Sequence, residues 1–233
     1  DITASYEGLE GTTVSVYSGD IDVAASDDGV NAANSDLGER SDKYAINIAG
    51  GDLYIDAGSD GLDSNNDITM TGGKVEVYGA DAMMDAAIDY DGTFTLSGGT
   101  LFGAGMEPGA GTQAYVAVGE TSPSGGHGGM GGGQGMTRPD KTDGSTMTPP
   151  DGQQSGTRPE KPSGDKNGWT GGKGQSANRE SALGIKEGSV ITVQDASGKT
   201  LYTATALGSM SSVIFSSADI KEGETYTVLV DGA

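Results

Sequence analysis

Four short apolar segments recur along the first half of the chain and, more than any other feature, limit what it can become. They are Val14-Ser15-Val16-Tyr17-Ser18-Gly19, Ile46-Asn47-Ile48-Ala49-Gly50-Gly51, Ile68-Thr69-Met70-Thr71-Gly72-Gly73 and Phe94-Thr95-Leu96-Ser97-Gly98-Gly99. Each is followed by a second alternating run: Ile21-Asp22-Val23, Leu53-Tyr54-Ile55, Val75-Glu76-Val77 and Leu101-Phe102-Gly103. The spacings are 32, 22 and 26 residues. A period of about 22 suits one coil of a three-sided β-solenoid, the longer spacings being loops inserted at corners. Alternation places Val14, Ile46, Ile68 and Phe94 inside, with Val16, Ile48, Met70 and Leu96 as a second inward ladder. The glycine pairs fall at corners, where a residue without Cβ can take positive φ. The expectation is an all-β chain, a right-handed parallel β-helix whose coils are stable only when stacked.

Composition supports a thin core. Of 233 residues, 42 are glycine and only 33% are hydrophobic, too lean for an ordinary globular interior. The organisation expected is residues 1–121 as β-helix coils, 122–178 as an insert, and 179–233 as C-terminal strands completing the same domain. Sixteen glycines and six prolines among residues 122–178 leave too little apolar surface to pack, which predicts a flexible segment. Beyond it, the runs from Ser189, Thr200, Ser212 and Thr225 have strand patterning. They are expected to cap the end of the helix or to extend it, because a solenoid needs its open end covered.

The third side of each repeat carries the chemistry. It comprises Asp27-Asp28-Gly29-Val30-Asn31, then Asp60-Gly61-Leu62-Asp63-Ser64-Asn65, then Ala87-Ile88-Asp89-Tyr90-Asp91. Val30, Leu62 and Ile88 align as a third inward ladder. Asn31, Asp63 and Asp89 then stack outside it, Asp28 and Asp60 form a neighbouring column, and Asn65 and Asp91 add oxygen donors. Residues 1–121 hold 22 of the 34 acids and 3 of the 13 bases, so the net charge of −21 is concentrated there. Coils about 4.8 Å apart bring like charges to a repulsion of roughly 3 kcal/mol at an effective dielectric of 20. A hard cation between them relieves this, and calcium tolerates a mixed set of carboxylate, amide and backbone oxygens better than magnesium does. Each Asp-Gly step alone is equally good turn chemistry; three registered copies point to metal.

Several function classes fall away. An acidic surface of this density excludes nucleic acid as a partner. Without cysteine there is no disulfide and no thiolate metal site. No apolar run has the length of a membrane span. His127, the only histidine, lies in a glycine run, and Trp169, the only tryptophan, lies in the Gly/Pro segment; neither suggests a catalytic centre.

The segments Tyr6-Glu7-Gly8-Leu9-Glu10-Gly11, Asp27 to Asn34, Asp60 to Asn65 and Ala87 to Gly92 resemble the bacterial carbohydrate-binding domain family of pectate-lyase-like β-helices. The resemblance implies a secreted or surface-attached, non-catalytic protein that binds calcium and plant cell-wall polysaccharide, acidic pectic chains or cellulose. It also implies that Asp28, Asn31, Asp60, Asp63 and Asp89 are metal ligands. The stretch Asp81-Ala82-Met83-Met84-Asp85 departs from the family pattern. Tyr54, Glu76 and Phe102 share one outward row with Asp22 and are the candidates for sugar contact, against the alternative of ordinary cross-strand packing. Two other readings stand beside this one. A calcium-stiffened structural or adhesive module needs the same ladder. A calcium-dependent lyase needs a base beside the metal, for which Arg40, Lys43 and Lys74 are the only cationic side chains in the first 121 residues.

Overall fold

The computed structural model describes residues 1–33, 42–81, 85–119 and 183–233. The expectations concerning residues 122–178, including His127 and Trp169, and those concerning Arg40 and the Ala82-Met83-Met84 stretch lie outside the described residues. Within them the chain is all-β, with seventeen strands and no helix. Strands β1 (Ile2–Ser5), β2 (Leu9–Glu10) and β3 (Thr13–Val16) open the series. The trio returns as β4 (Asp20–Ala25), β5 (Val30–Ala32) and β6 (Ala45–Ile48). It returns again as β7 (Asp52–Ala57), β8 (Leu62–Ser64) and the long β9 (Asp67–Tyr78), whose two halves serve two sides. Next come β10 (Ile88–Tyr90) and β11 (Phe94–Gly103), followed by β12 (Ala110–Gly111) and β13 (Tyr115–Gly119). The C-terminal part holds β14 (Val190–Asp195), β15 (Thr200–Thr205), β16 (Ser212–Ser216) and β17 (Tyr226–Val230).

Pairing through residue 111 is parallel throughout. One ladder runs β1-β4-β7-β9-β11, a second β3-β6-β9, and a third β2-β5-β8-β10. The register aligns Val14, Ile46, Ile68 and Phe94, and separately Val30, Leu62 and Ile88. All but the first of these seven side chains are fully buried, in one continuous apolar column. Partners in the ladder are 32 residues apart both at Val14↔Ile46 and at Val30↔Leu62. The extra ten residues of that repeat therefore lie between Ala32 and Ala45. Likewise Leu53↔Val75 is 22 apart but Leu62↔Ile88 is 26, which puts the second insertion between Tyr78 and Ile88. Both insertions adjoin the third ladder and leave its register untouched.

The corners are where the glycine pairs were expected. Gly19, Gly51, Gly73 and Gly99 all have positive φ, between 82° and 106°. A second constraint operates at Gly50, Gly72 and Gly98. A Cβ there would approach the carbonyl oxygens of Tyr17, Ala49 and Thr71 to 2.4–2.5 Å, closer than any real contact. The stacked repeats thus select glycine for close backbone approach as well as for dihedral angle.

The C-terminal strands behave in two ways. β16 joins the large sheet antiparallel to β11, with Phe102 opposite Phe215, and β13 adds beyond it. β14, β15 and β17 form a separate antiparallel sheet. Its apolar residues, among them Ile191, Val193 and Ala204, share a second core with Phe102, Tyr78, Val213 and Phe215. That sheet therefore covers the outward side of the last repeats, in addition to β16 extending the ladder. The reason is chemical: the outward row turns from Asp22 and Tyr54 to Phe102, which needs a cover.

Candidate functional site

The third ladder sets Asn31 beside Asp63 and Asp63 beside Asp89 by direct parallel register. One side chain before each buried Val30, Leu62 and Ile88 lies Gly29, Gly61 or Ala87; these glycines do not have positive φ. A Cβ on Gly29 would meet the Gly61 carbonyl oxygen at 2.6 Å, and one on Gly61 would meet that of Ala87 at 2.5 Å. The Asp-Gly steps are close-packed crossings between repeats, not turns.

This packing brings the neighbouring carboxylates inward. Asp28, Asp60 and Asp89 are each 8% exposed. Asp28 accepts from the Asp60 backbone N–H at 3.1 Å and from Asn31 Nδ2 at 3.0 Å. Asp60 in turn accepts from the Ala86 N–H at 2.5 Å. Each carboxylate thus caps the next repeat, and the column ends where Ala86 takes the acid's place. One carboxylate oxygen from each of Asp60, Asp63 and Asp89 lies within 4.8 Å of the others. Burial first, and then the charges of Asp63, Asp89 and Asp28, push Asp60 up to about 8 despite its backbone hydrogen bond. Burial, followed by Asp28, Asp89, Asp91 and Glu7, pushes Asp63 up to about 7. Asp28 is raised as well, chiefly by burial.

Of the other expected donors, Asp91 is near enough to raise Asp63 electrostatically, and Asp27 acts in the same way on Asp28. Asn65 is held by its backbone N–H to the Ala32 carbonyl. Glu7 was not singled out from the sequence. Leu9 aligns with Val30, so Glu7 stands one repeat before Asp28 in the same column. Its Oε2 is buried without a hydrogen bond, and burial with the charges of Asp28 and Asp27 lifts it to about 7. The signal was present: Glu7-Gly8-Leu9 has the spacing of Asp28-Gly29-Val30 and Asp60-Gly61-Leu62.

The donor set is entirely oxygen, and two of its atoms, Glu7 Oε2 and Asn31 Oδ1, are buried and make no hydrogen bond. Crowded carboxylates and orphaned acceptors are what a hard cation satisfies. The Asp60–Asp63–Asp89 triad can hold a metal ion.

The row proposed for sugar contact divides. Tyr54 is 37% exposed. The Glu76 carboxylate is taken up by two phenols, Tyr78 at 2.8 Å and Tyr202. Phe102 corrects the sequence expectation: it is fully buried, stacked on Tyr202 at 5.3 Å between ring centres, with Phe215 beyond. The C-terminal strands occupy the face it would have offered to a sugar. Lys74, a candidate base, sits over the Tyr202 ring at 6.0 Å.

Comparison with curated proteins and with solved structures finds no match. A family model described as carbohydrate-binding domain-containing protein matches residues 1–228, nearly the whole chain. By that match the chain belongs to the carbohydrate-binding domain-containing protein family.

Proposed function

We propose that this protein is a non-catalytic module, secreted or attached to a cell surface, that binds plant cell-wall polysaccharide with the help of calcium. The observation that carries the reading is the buried all-oxygen triad Asp60, Asp63 and Asp89 in a chain of a carbohydrate-binding family. Two oxygens on one calcium ion at 2.3–2.6 Å are separated by at most about 5 Å, which accommodates the 4.8 Å span of the triad. Asp28 and Asn31 extend the same column, with Asp27, Asn65 and Asp91 at its margin. The parallel pairing of all three ladders supports winding of residues 1–121 as a right-handed three-sided β-helix completed by residues 179–233. An acidic protein holds an acidic pectic chain only if a divalent ion lies between them, which gives calcium a role in binding as well as in folding. Cellulose, being neutral, needs no such bridge.

A second reading has its own support. Two of the three triad residues are 8% exposed, so an ion among them has little coordination left for a glycan. In that reading calcium stiffens a structural or adhesive module. Affinity electrophoresis through polygalacturonate, with calcium or with chelator, separates the two. Retardation only in calcium supports bridging. Retardation in neither condition, with the protein still stabilised by calcium, favours the stiffening role. Release of unsaturated, ultraviolet-absorbing ends from pectate would overturn the non-catalytic assignment.

A further inference from the structure

Away from the acidic ladder, a cleft of about 1000 Å³ lies between β13 and the Ser217–Tyr226 segment. We propose that it is a second saccharide site, one that takes a neutral glycan chain without a metal ion. The proposal rests on the reading of this protein as a polysaccharide binder, but not on the calcium bridge.

Three features of the lining support it. The first is a pair of tyrosines whose rings are fixed. Tyr115 donates from its hydroxyl to Glu107 Oε2 at 2.8 Å. The Tyr226 hydroxyl accepts from the Lys221 N–H at 2.7 Å and donates to the Asp219 carbonyl at 3.3 Å. Aromatic rings already held in place lose little freedom when a sugar ring packs on them. The second is the supply of polar groups. β13 pairs with β16 alone among the described residues, so within them one row of its backbone donors and acceptors faces the cleft side without a strand partner. Gln113 Nε2 is tied at 2.8 Å to both the Gly99 carbonyl and Ser216 Oγ, which orients its Oε1 as a fixed acceptor. Sugar hydroxyls both donate and accept, and suit such a mixture. The third is charge. Lys221 is the only base in the lining, against Glu222 and Glu224, so a polyuronate finds no net attraction there. The size lies at the upper end of small-molecule sites, about 300–1,000 Å³, and suits several linked residues of a chain.

The test is affinity electrophoresis through hydroxyethylcellulose, a soluble neutral glucan, in the presence of chelator. The unmodified protein should be retarded, and Tyr226→Ala should weaken the affinity about tenfold, the loss of one well-packed aromatic contact. Tyr226 also belongs to β17, so a second probe avoids packed residues. Ala218 lines the cleft from an exposed position, and the chain has no cysteine. Ala218→Cys therefore accepts a single bulky, polar maleimide, and the same preparation is compared before and after coupling. Coupling should abolish retardation by the neutral glucan and leave calcium-dependent retardation by polygalacturonate within about twofold, as expected for separate sites. The proposal is overturned if the unmodified protein is not retarded in chelator, if retardation requires calcium, or if coupling leaves it unchanged. Failure on polygalacturonate with the glucan result intact would remove the calcium bridge and leave this site standing.

Discussion

Asp63 and Glu76 both project outward from parallel strands of the same repeat series, and their surroundings differ in kind. Glu76 lies among phenols: Tyr78 and Tyr202 both donate to it, and Tyr202 comes from the far end of the chain to do so. Asp63 lies among other acids, with Asp28, Asp89 and Asp91 near enough to raise its pKa. In one row the protein supplies its own compensation. In the other, folding concentrates negative charge, met among the described residues by backbone N–H groups, the Asn31 amide and the Ser59 side chain. A fold of ordinary stability, about 5–15 kcal/mol, tolerates the second arrangement when something outside the polypeptide completes it. The lesson is that repetition alone does not make a binding site; a row becomes a candidate where stacking crowds like charges instead of pairing them.

The sharpest way to break the comparison is to vary calcium, the ion proposed for the acidic row. Calcium at a hundred times its dissociation constant should stabilise the protein by about 2.7 kcal/mol, roughly 5–10 °C in Tm for a chain of this length. The double variant Asp60→Asn, Asp63→Asn should lose that calcium response in thermal melts while folding without it. Glu76→Ala should act the opposite way. It strands two phenols and should cost about 1–3 kcal/mol whether calcium is present or not, because its row is closed by the protein itself.

A pH series sharpens the contrast further. The folded-state pKa values of Asp60 and Asp63, about 8 and 7, lie above the ordinary 3.8. The folded protein therefore binds more protons than the unfolded chain between those limits. Stability without metal should fall by several degrees in Tm as pH rises from about 5 to about 8. Saturating calcium should remove the slope, since the ion then replaces the protons. The smallest effect belongs to Tyr54→Ala, at an exposed position, which should change stability by no more than about 0.5–1 kcal/mol. If it also leaves glycan retention unchanged, the outward row has no part in binding.

Much of this was legible in the sequence because it is local and repeated. Val30, Leu62 and Ile88 could be aligned from spacing, and their alignment carried Asn31, Asp63 and Asp89 into register with them. The four C-terminal strands followed from β-branched and aromatic alternation with glycine turns. What failed was any property set by distant segments. Alternation marked Phe102 as outward, which is correct, yet outward proved not to mean exposed. Its cover, Tyr202 and Phe215, lies a hundred residues and more along the chain, and no periodicity connects them. Glu7 was missed for a different reason. It opens the column with a longer side chain, ahead of the first clear Asp-Gly copy. The Asp-Gly steps themselves looked like turns because Asp and Gly favour turns; only the stacked backbones reveal that Gly61 is small because Ala87 leaves no space.

The antiparallel seat of β16 on β11 has a consequence for association. A parallel ladder offers its last strand as a template for another of the same kind, and a protein made of repeats is exposed to unlimited end-to-end growth. β16 runs the other way, and it presents Phe215 and Ile214 where a further repeat would have presented its own alternation. It thus breaks the repeat: β16 and, beyond it, β13 close this side in antiparallel pairing, so a further repeat would meet β13 and not a continuation of the parallel ladder.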